Sequence, residues 1–156
     1  MSKVAFIGLG VMGYPMAGHL SKYYDTIVYN RTTEKSKKWI DSYNGKMEFS
    51  IANTVKEADF VFCCVGNDND LRSVLLGQEG AINSMKKGAI LVDHTTCSAK
   101  VSKEISVIAN NSKIKFMDAP VSGGQIGAEN GQLTIMCGGD EETYYKIESI
   151  ISCYSK

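Results

Sequence analysis

"KVAFIGLGVMGYPMAGHL", residues 3–20, joins an apolar run to a glycine cluster and then to a helical pattern. Residues 3–8 read as a strand, and the unbroken Val4, Ala5, Phe6 and Ile7 suit one covered on both faces. Gly8, Gly10 and Gly13 then stand in GxGxxG spacing, ahead of a helix predicted from about Val11 to Lys22. Between a strand and a helix these glycines have separate tasks. Gly8 permits a tight turn, Gly10 lets backbone approach a diphosphate, and Gly13 lets the helix pack close to the strand. The helix start adds unpaired N–H groups and the positive end of its dipole. Pro15 falls in the first turn, where its missing N–H is tolerated. This turn, Gly8, Leu9, Gly10, Val11 and Met12, is the expected dinucleotide grip.

The rest of the chain repeats the alternation. "TIVYN" (26–30), "DFVFCCV" (59–65), "AILVD" (89–93), "IKFMDA" (114–119) and "LTIMCGG" (133–139) read as strands. Helical stretches are expected at 34–43, at 98–111 with Val101, Ile105 and Ile108 on one face, and at the end, with Ile147, Ile150, Ile151 and Tyr154 aligned. The fold class that follows is α/β, a doubly wound, mostly parallel Rossmann-type sheet with helices on both faces. No repeat or linker divides the chain, so residues 1–156 are expected to form one domain.

Composition narrows the function classes. Lys plus Arg and Asp plus Glu balance at 17 each, so no global field recruits nucleic acid or an anionic membrane. A bound anion must therefore have a local site. Cys63, Cys64, Cys97, Cys137 and Cys153 form no CxxC pair and are odd in number, which speaks against a disulfide framework and fits a reducing, cytoplasmic setting. No spacing suggests a metal site. No segment approaches the length of a membrane span, and the N-terminal apolar run reads as structure, not a signal peptide.

Ligands of open α/β sheets bind beyond the carboxyl ends of the strands. After the second strand stand Asn30, Arg31 and Thr32, where an Asp or Glu for ribose hydroxyls would favour NAD. Lacking that carboxylate and offering a guanidinium, the site is expected to prefer NADP over NAD by about 10- to 100-fold. Flavoprotein and methyltransferase readings share the glycine motif but want the missing acid. Gly66 and Asn67 offer loop backbone to a cofactor ribose. Thr95 and Thr96 offer hydroxyls that serve either a ligand or, with Ser98, a helix cap. Ser122 precedes Gly123 and Gly124, whose bare N–H groups suit a carboxylate. His94 and His19 are expected to be structural, Cys63 and Cys64 small apolar residues, and Cys97 the more reachable but unactivated thiol.

These motifs together resemble the β-hydroxyacid dehydrogenases, which include 3-hydroxyisobutyrate dehydrogenase and the glyoxylate and succinic semialdehyde reductases. "FIGLGVMGYPMAGHL" is similar to that family's cofactor signature and "DAPVSGG…GAENGQLTIMCGG" to its substrate signature. The resemblance runs from Lys3 to about Cys153. It implies that residues 8–12 line the diphosphate and that Asn30-Arg31-Thr32 matches members preferring NADP. It also implies that Val65 and Gly66 lie beside the nicotinamide ribose, where the family often has Leu-Pro. Thr96 would lie near the nicotinamide, and Ser122, Gly123 and Gly124 would hold the carboxylate of a small hydroxyacid or semialdehyde. The six glycines of residues 117–139 would clear space for that substrate.

One departure qualifies the match. The family handles the proton with a lysine on an all-helical second domain that also supplies oligomer contacts, and this chain ends before that point. Lys100 is the one local alternative. The expectation is an NADP-dependent oxidoreductase represented by its cofactor domain, with no catalytic residue of its own and poor activity alone. The competing expectation is a stand-alone, non-catalytic NADP-binding sensor or partner-binding module.

Overall fold

The computed structural model describes residues 1–156. Six strands, β1 (Lys3–Ile7), β2 (Asp25–Tyr29), β3 (Lys46–Met47), β4 (Phe60–Cys63), β5 (Ile90–Asp93) and β6 (Lys115–Asp118), form one parallel sheet in the order β3-β2-β1-β4-β5-β6. The helices are α1 (Gly13–Leu20), α2 (Thr33–Ser42), α3 (Ile51–Val55), α4 (Asp68–Leu76), α5 (Ala81–Ser84), α6 (Ala99–Asn111), α7 (Gly124–Glu129) and α8 (Glu141–Ile151). A short antiparallel ribbon, β7 (Val121–Ser122) and β8 (Thr134–Ile135), stands apart from the main sheet.

The apolar runs supply both faces. Along β1, Val4 and Phe6 join a core on one side with α1, Trp39 of α2 and the α8 isoleucines. Ala5 and Ile7 join a core on the other, with Leu71 and Leu75 of α4 and Val101 and Ile105 of α6. Strand alternation sends successive side chains to opposite faces, so each residue of a doubly covered strand must be apolar. The doubly wound reading holds.

Several local expectations change. Helix α1 begins at Gly13, not Val11, because residues 11–12 form the turn that leads into it. On α6 the buried face is Val101, Ile105 and Ala109, while Ile108 is partly exposed. Of "LTIMCGG" only Thr134–Ile135 is strand, paired with β7, and Gly138 meets the end of β6 through a single antiparallel bridge to Asp118. The glycines of 117–139 do not share one task either. Gly139 packs where a β-carbon would strike the Met117 thioether, and Gly131 closes α7. Only Gly123 (φ +132°) and Gly124 (φ +63°), both exposed, form a bare, left-handed turn beside the ribbon.

Candidate functional site

The order of strands reverses between β1 and β4. Ile7 lies opposite Tyr29 on one side and Cys63 on the other, so the chain leaves β1, β2 and β4 side by side at the same end of the sheet. A cleft of about 490 Å³ opens there. Its floor is the glycine turn. Gly8 has φ +100°, and a β-carbon there would collide with the Cys64 carbonyl, while one on Gly13 would collide with the Gly8 carbonyl. Those two positions fix the turn, whereas Gly10 has open space above it.

The turn leaves donors free. Gly8 N–H bonds the Tyr29 carbonyl and Leu9 N–H bonds Asn30 Oδ1 at 2.8 Å. The N–H groups of Gly10, Val11, Met12 and Gly13 have no protein acceptor. Four orphan donors at the start of an eight-residue helix form an anion cradle.

The expected residues divide by position. Gly8, Gly10, Val11, Met12, Asn30, Arg31, Thr32, Val65 and Gly66 all border this cleft. Leu9 does not: its side chain is in the core and its N–H is taken by Asn30. Asn30 is thus a clip between β2 and the turn, with its Nδ2 on the Thr32 carbonyl at 3.1 Å. Asn67 and Thr96 lie in a neighbouring polar depression that shares Gly66 with the cleft. Asn67 Oδ1 accepts from Asp70 N–H at 2.9 Å and so caps α4. Ser122, Gly123 and Gly124 border neither hollow.

Three polar cleft residues had no role assigned in the sequence reading: Lys35, Asp70 and Ser73. They arrive on α2 and α4. Lys35 lies in the first turn of α2, just after the Asn30-Arg31-Thr32 strand end, and that position could have marked it. Asp70 Oδ1 lies 3.6 Å from Arg31 Nη1, across the rim.

A family model described as the NAD binding domain of 6-phosphogluconate dehydrogenase matches residues 3–156. The chain belongs to that family. An uncharacterized oxidoreductase of Shewanella frigidimarina is 54% identical over 157 residues, covering 100% of this chain and 54% of the relative. The 3-hydroxyisobutyrate dehydrogenase of Mycobacterium tuberculosis, solved with L-serine, has a TM-score of 0.91 at 25% identity, over 99% of this chain and 52% of its own. Psf3, solved in complex with NADP+ and 2-OPP, has a TM-score of 0.92 at 25% identity, over 97% and 54%. The chain spans about half the length of these relatives.

At the β5–β6 end of this NAD-binding domain the polar groups are buried and paired. His94 is 1% exposed, with Nδ1 2.6 Å from the Ala119 carbonyl and Nε2 2.7 Å from the Tyr154 hydroxyl. A carbonyl only accepts, so Nδ1–H donates to Ala119 and Nε2 accepts from Tyr154. Burial lowers the imidazole to about 4, so it is neutral at pH 7. His94 is structural, as expected. His19 is similar in kind, its Nε2 3.0 Å from both the Ala128 and Glu129 carbonyls at the end of α7.

Asp93, beside His94, has its carboxyl raised to about 6 by burial, although it accepts from Thr95 N–H at 2.9 Å. Thr95 Oγ1 in turn accepts from Val65 N–H at 3.0 Å, which ties β5 to the wall of the cleft. So Thr95 braces the protein, whereas Thr96 is exposed. Asp93, Cys97 and Asp118 bring ligand-type atoms within 4.8 Å of one another, a grouping the sequence reading did not anticipate. Burial, with the Asp93 and Asp118 carboxylates, raises the Cys97 thiol to about 12, so it is protonated at neutral pH and no nucleophile. The cap of α6 is Ser98, whose hydroxyl accepts from Val101 N–H while its own N–H donates to Asp68 Oδ1.

Proposed function

We propose that this NAD-binding domain serves an NADP-dependent oxidoreductase moving hydride between nicotinamide and a small 3-hydroxyacid or short semialdehyde. The observation that carries the reading is one cleft holding four free N–H groups, Gly10 to Gly13, together with Arg31 and Lys35 at its rim. The first group suits a diphosphate and the second a 2′-phosphate. The cleft fits a dinucleotide, because the glycines that shape it keep side chains out of the turn.

The bound coenzyme supplies the hydride; the chain binds and orients it. Gly10 to Gly13 N–H hold the diphosphate, Arg31 and Lys35 the adenosine phosphate, and Val65 and Gly66 border the nicotinamide ribose. Thr96, in the neighbouring depression, would face the nicotinamide, and Ser122, Gly123 and Gly124, outside both hollows, would receive the substrate carboxylate. No residue of this chain is assigned the proton, since Lys100, on the first turn of α6, borders neither the cleft nor the depression beside it. In this reading the proton donor, part of the pocket and the oligomer contacts come from the helical half. Ile126 and Met136, 72% and 54% exposed in the β7–α7–β8 segment, suit packing against it. The five free thiols suit a cytoplasmic setting.

Titration with NADPH and NADH tests the coenzyme assignment. NADPH binds tighter by about 10- to 100-fold, and Arg31→Ala removes most of that margin without weakening NADH. Equal affinities in the unmodified protein would refute it. Turnover by the 156-residue chain is expected to be lower than that of a full-length relative by about 10²- to 10⁴-fold.

A further inference from the structure

The cleft rim carries three charged side chains, and only one is acidic. Asp70 sits in the first turn of α4, its backbone N–H fixed by the Asn67 cap. Its carboxylate lies against Gly66, with Oδ2 3.1 Å from where a β-carbon on that glycine would stand. Its Oδ1 faces Arg31 Nη1 at 3.6 Å, too long for a hydrogen bond. The partners differ in freedom: the Arg31 side chain is 86% exposed on a flexible stem, while that of Asp70 is 34% exposed on a helix. The carboxylate is the stationary partner and the guanidinium the mobile one.

We infer that Asp70 limits the discrimination between NADP and NAD by competing with the 2′-phosphate for Arg31. The inference rests on the coenzyme reading above. A 2′-phosphate carries up to two negative charges. To engage Arg31 it must either draw the guanidinium from Asp70 or share it, with two anions then within a few ångströms. Either way Asp70 penalises the phosphorylated coenzyme through like-charge repulsion. NAD, with a neutral hydroxyl at that position, escapes the penalty. Replacing the carboxylate by an amide of the same shape removes the charge and leaves the cap, which uses the Asp70 backbone N–H.

Dissociation constants for NADPH and NADH are measured on the full chain as the unmodified protein, Asp70→Asn, Arg31→Ala and the double variant. Asp70→Ser serves as a second neutral replacement, and thermal unfolding confirms that each is folded. The expected result is that Asp70→Asn tightens NADPH by about 3- to 10-fold and leaves NADH within about twofold. The gain shrinks in high salt and is smaller in the Arg31→Ala background, where the competition is gone and direct repulsion alone remains. An unchanged NADPH-to-NADH ratio overturns the inference. So does weaker NADPH binding, which would make the carboxylate an organiser of Arg31, or weaker NADH binding, which would make it a ribose acceptor. If Arg31→Ala weakens NADPH while Asp70→Asn does nothing, only the competition fails. If Arg31→Ala leaves NADPH unaffected, the phosphate reading fails with it.

Discussion

The two ends of the strand row, β1–β2–β4 and β5–β6, share one sheet and one direction, yet they treat their polar groups in opposite ways. At the first, four consecutive N–H groups face no acceptor and a loose ion pair spans the rim. At the second, Asp93, His94 and Thr95 are all buried and each has a protein partner. A polar group without a protein partner in an open cleft is available to a ligand, whereas one paired in the interior supports the fold. The histidine, the residue type most often suspected of chemistry, belongs to the second kind.

The sharpest way to break this contrast is His94→Ala. It leaves the Tyr154 hydroxyl and the Ala119 carbonyl unpaired and opens a cavity, so unfolding in urea should show a loss of about 3 kcal/mol or more. Coenzyme affinity of the folded fraction should not change. A large loss of affinity with intact stability would assign His94 to the site.

The pH dependence of stability sharpens the same point. The His94 imidazole sits at about 4 when folded against an ordinary 6.5, so the unfolded chain takes the proton first and stability falls as pH drops from 6.5 toward 4. Asp93 acts in the opposite sense. At about 6 when folded against 3.8, it keeps its proton while the unfolded chain releases it, and stability falls as pH rises from 3.8 to 6. Each is worth about 3 kcal/mol across its window, so between pH 4 and 6 they offset. Asp93→Asn should expose the His94 slope, seen as a denaturation midpoint that drops steeply on acidification. An unaltered pH profile in that variant would remove Asp93 from the account.

The smallest effect separates a cap from a contact. Asn67→Ala should cost about 1 kcal/mol of stability through its lost bond to Asp70 N–H. If NADPH affinity is unchanged, Asn67 serves α4 alone; a drop beyond that of a simple loosening assigns it a ligand role as well.

The parallel sheet was legible because doubly covered strands demand unbroken apolar runs, and residues 59–65 and 89–93 supply them. The grip was legible because backbone crowding restricts Gly8 and Gly13 to glycine. Less visible were β3, only two residues long, and α4, a nine-residue helix that opens on the polar Asp68-Asn69-Asp70 and buries only Leu71 and Leu75 fully. Missing α4 left Asp70, in the stretch just beyond the end of β4, without a role and hid Ser73 on the following turn. Leu9 was misplaced for a related reason. Pattern alone assigns its N–H to a ligand, but the side chain at the end of β2 reaches it first.

That clip has a further consequence. Asn30 stands where redesign of coenzyme preference would begin, yet its amide oxygen also pins the loop proposed to carry the diphosphate. An exchange that keeps an oxygen at that reach, such as Asn30→Asp, retains the bond from Leu9 N–H, gives up the one to the Thr32 carbonyl and alters the charge presented to the sugar. An aliphatic replacement releases the loop and blurs recognition at both ends of the dinucleotide together. Selectivity and grip are mechanically linked through a single amide.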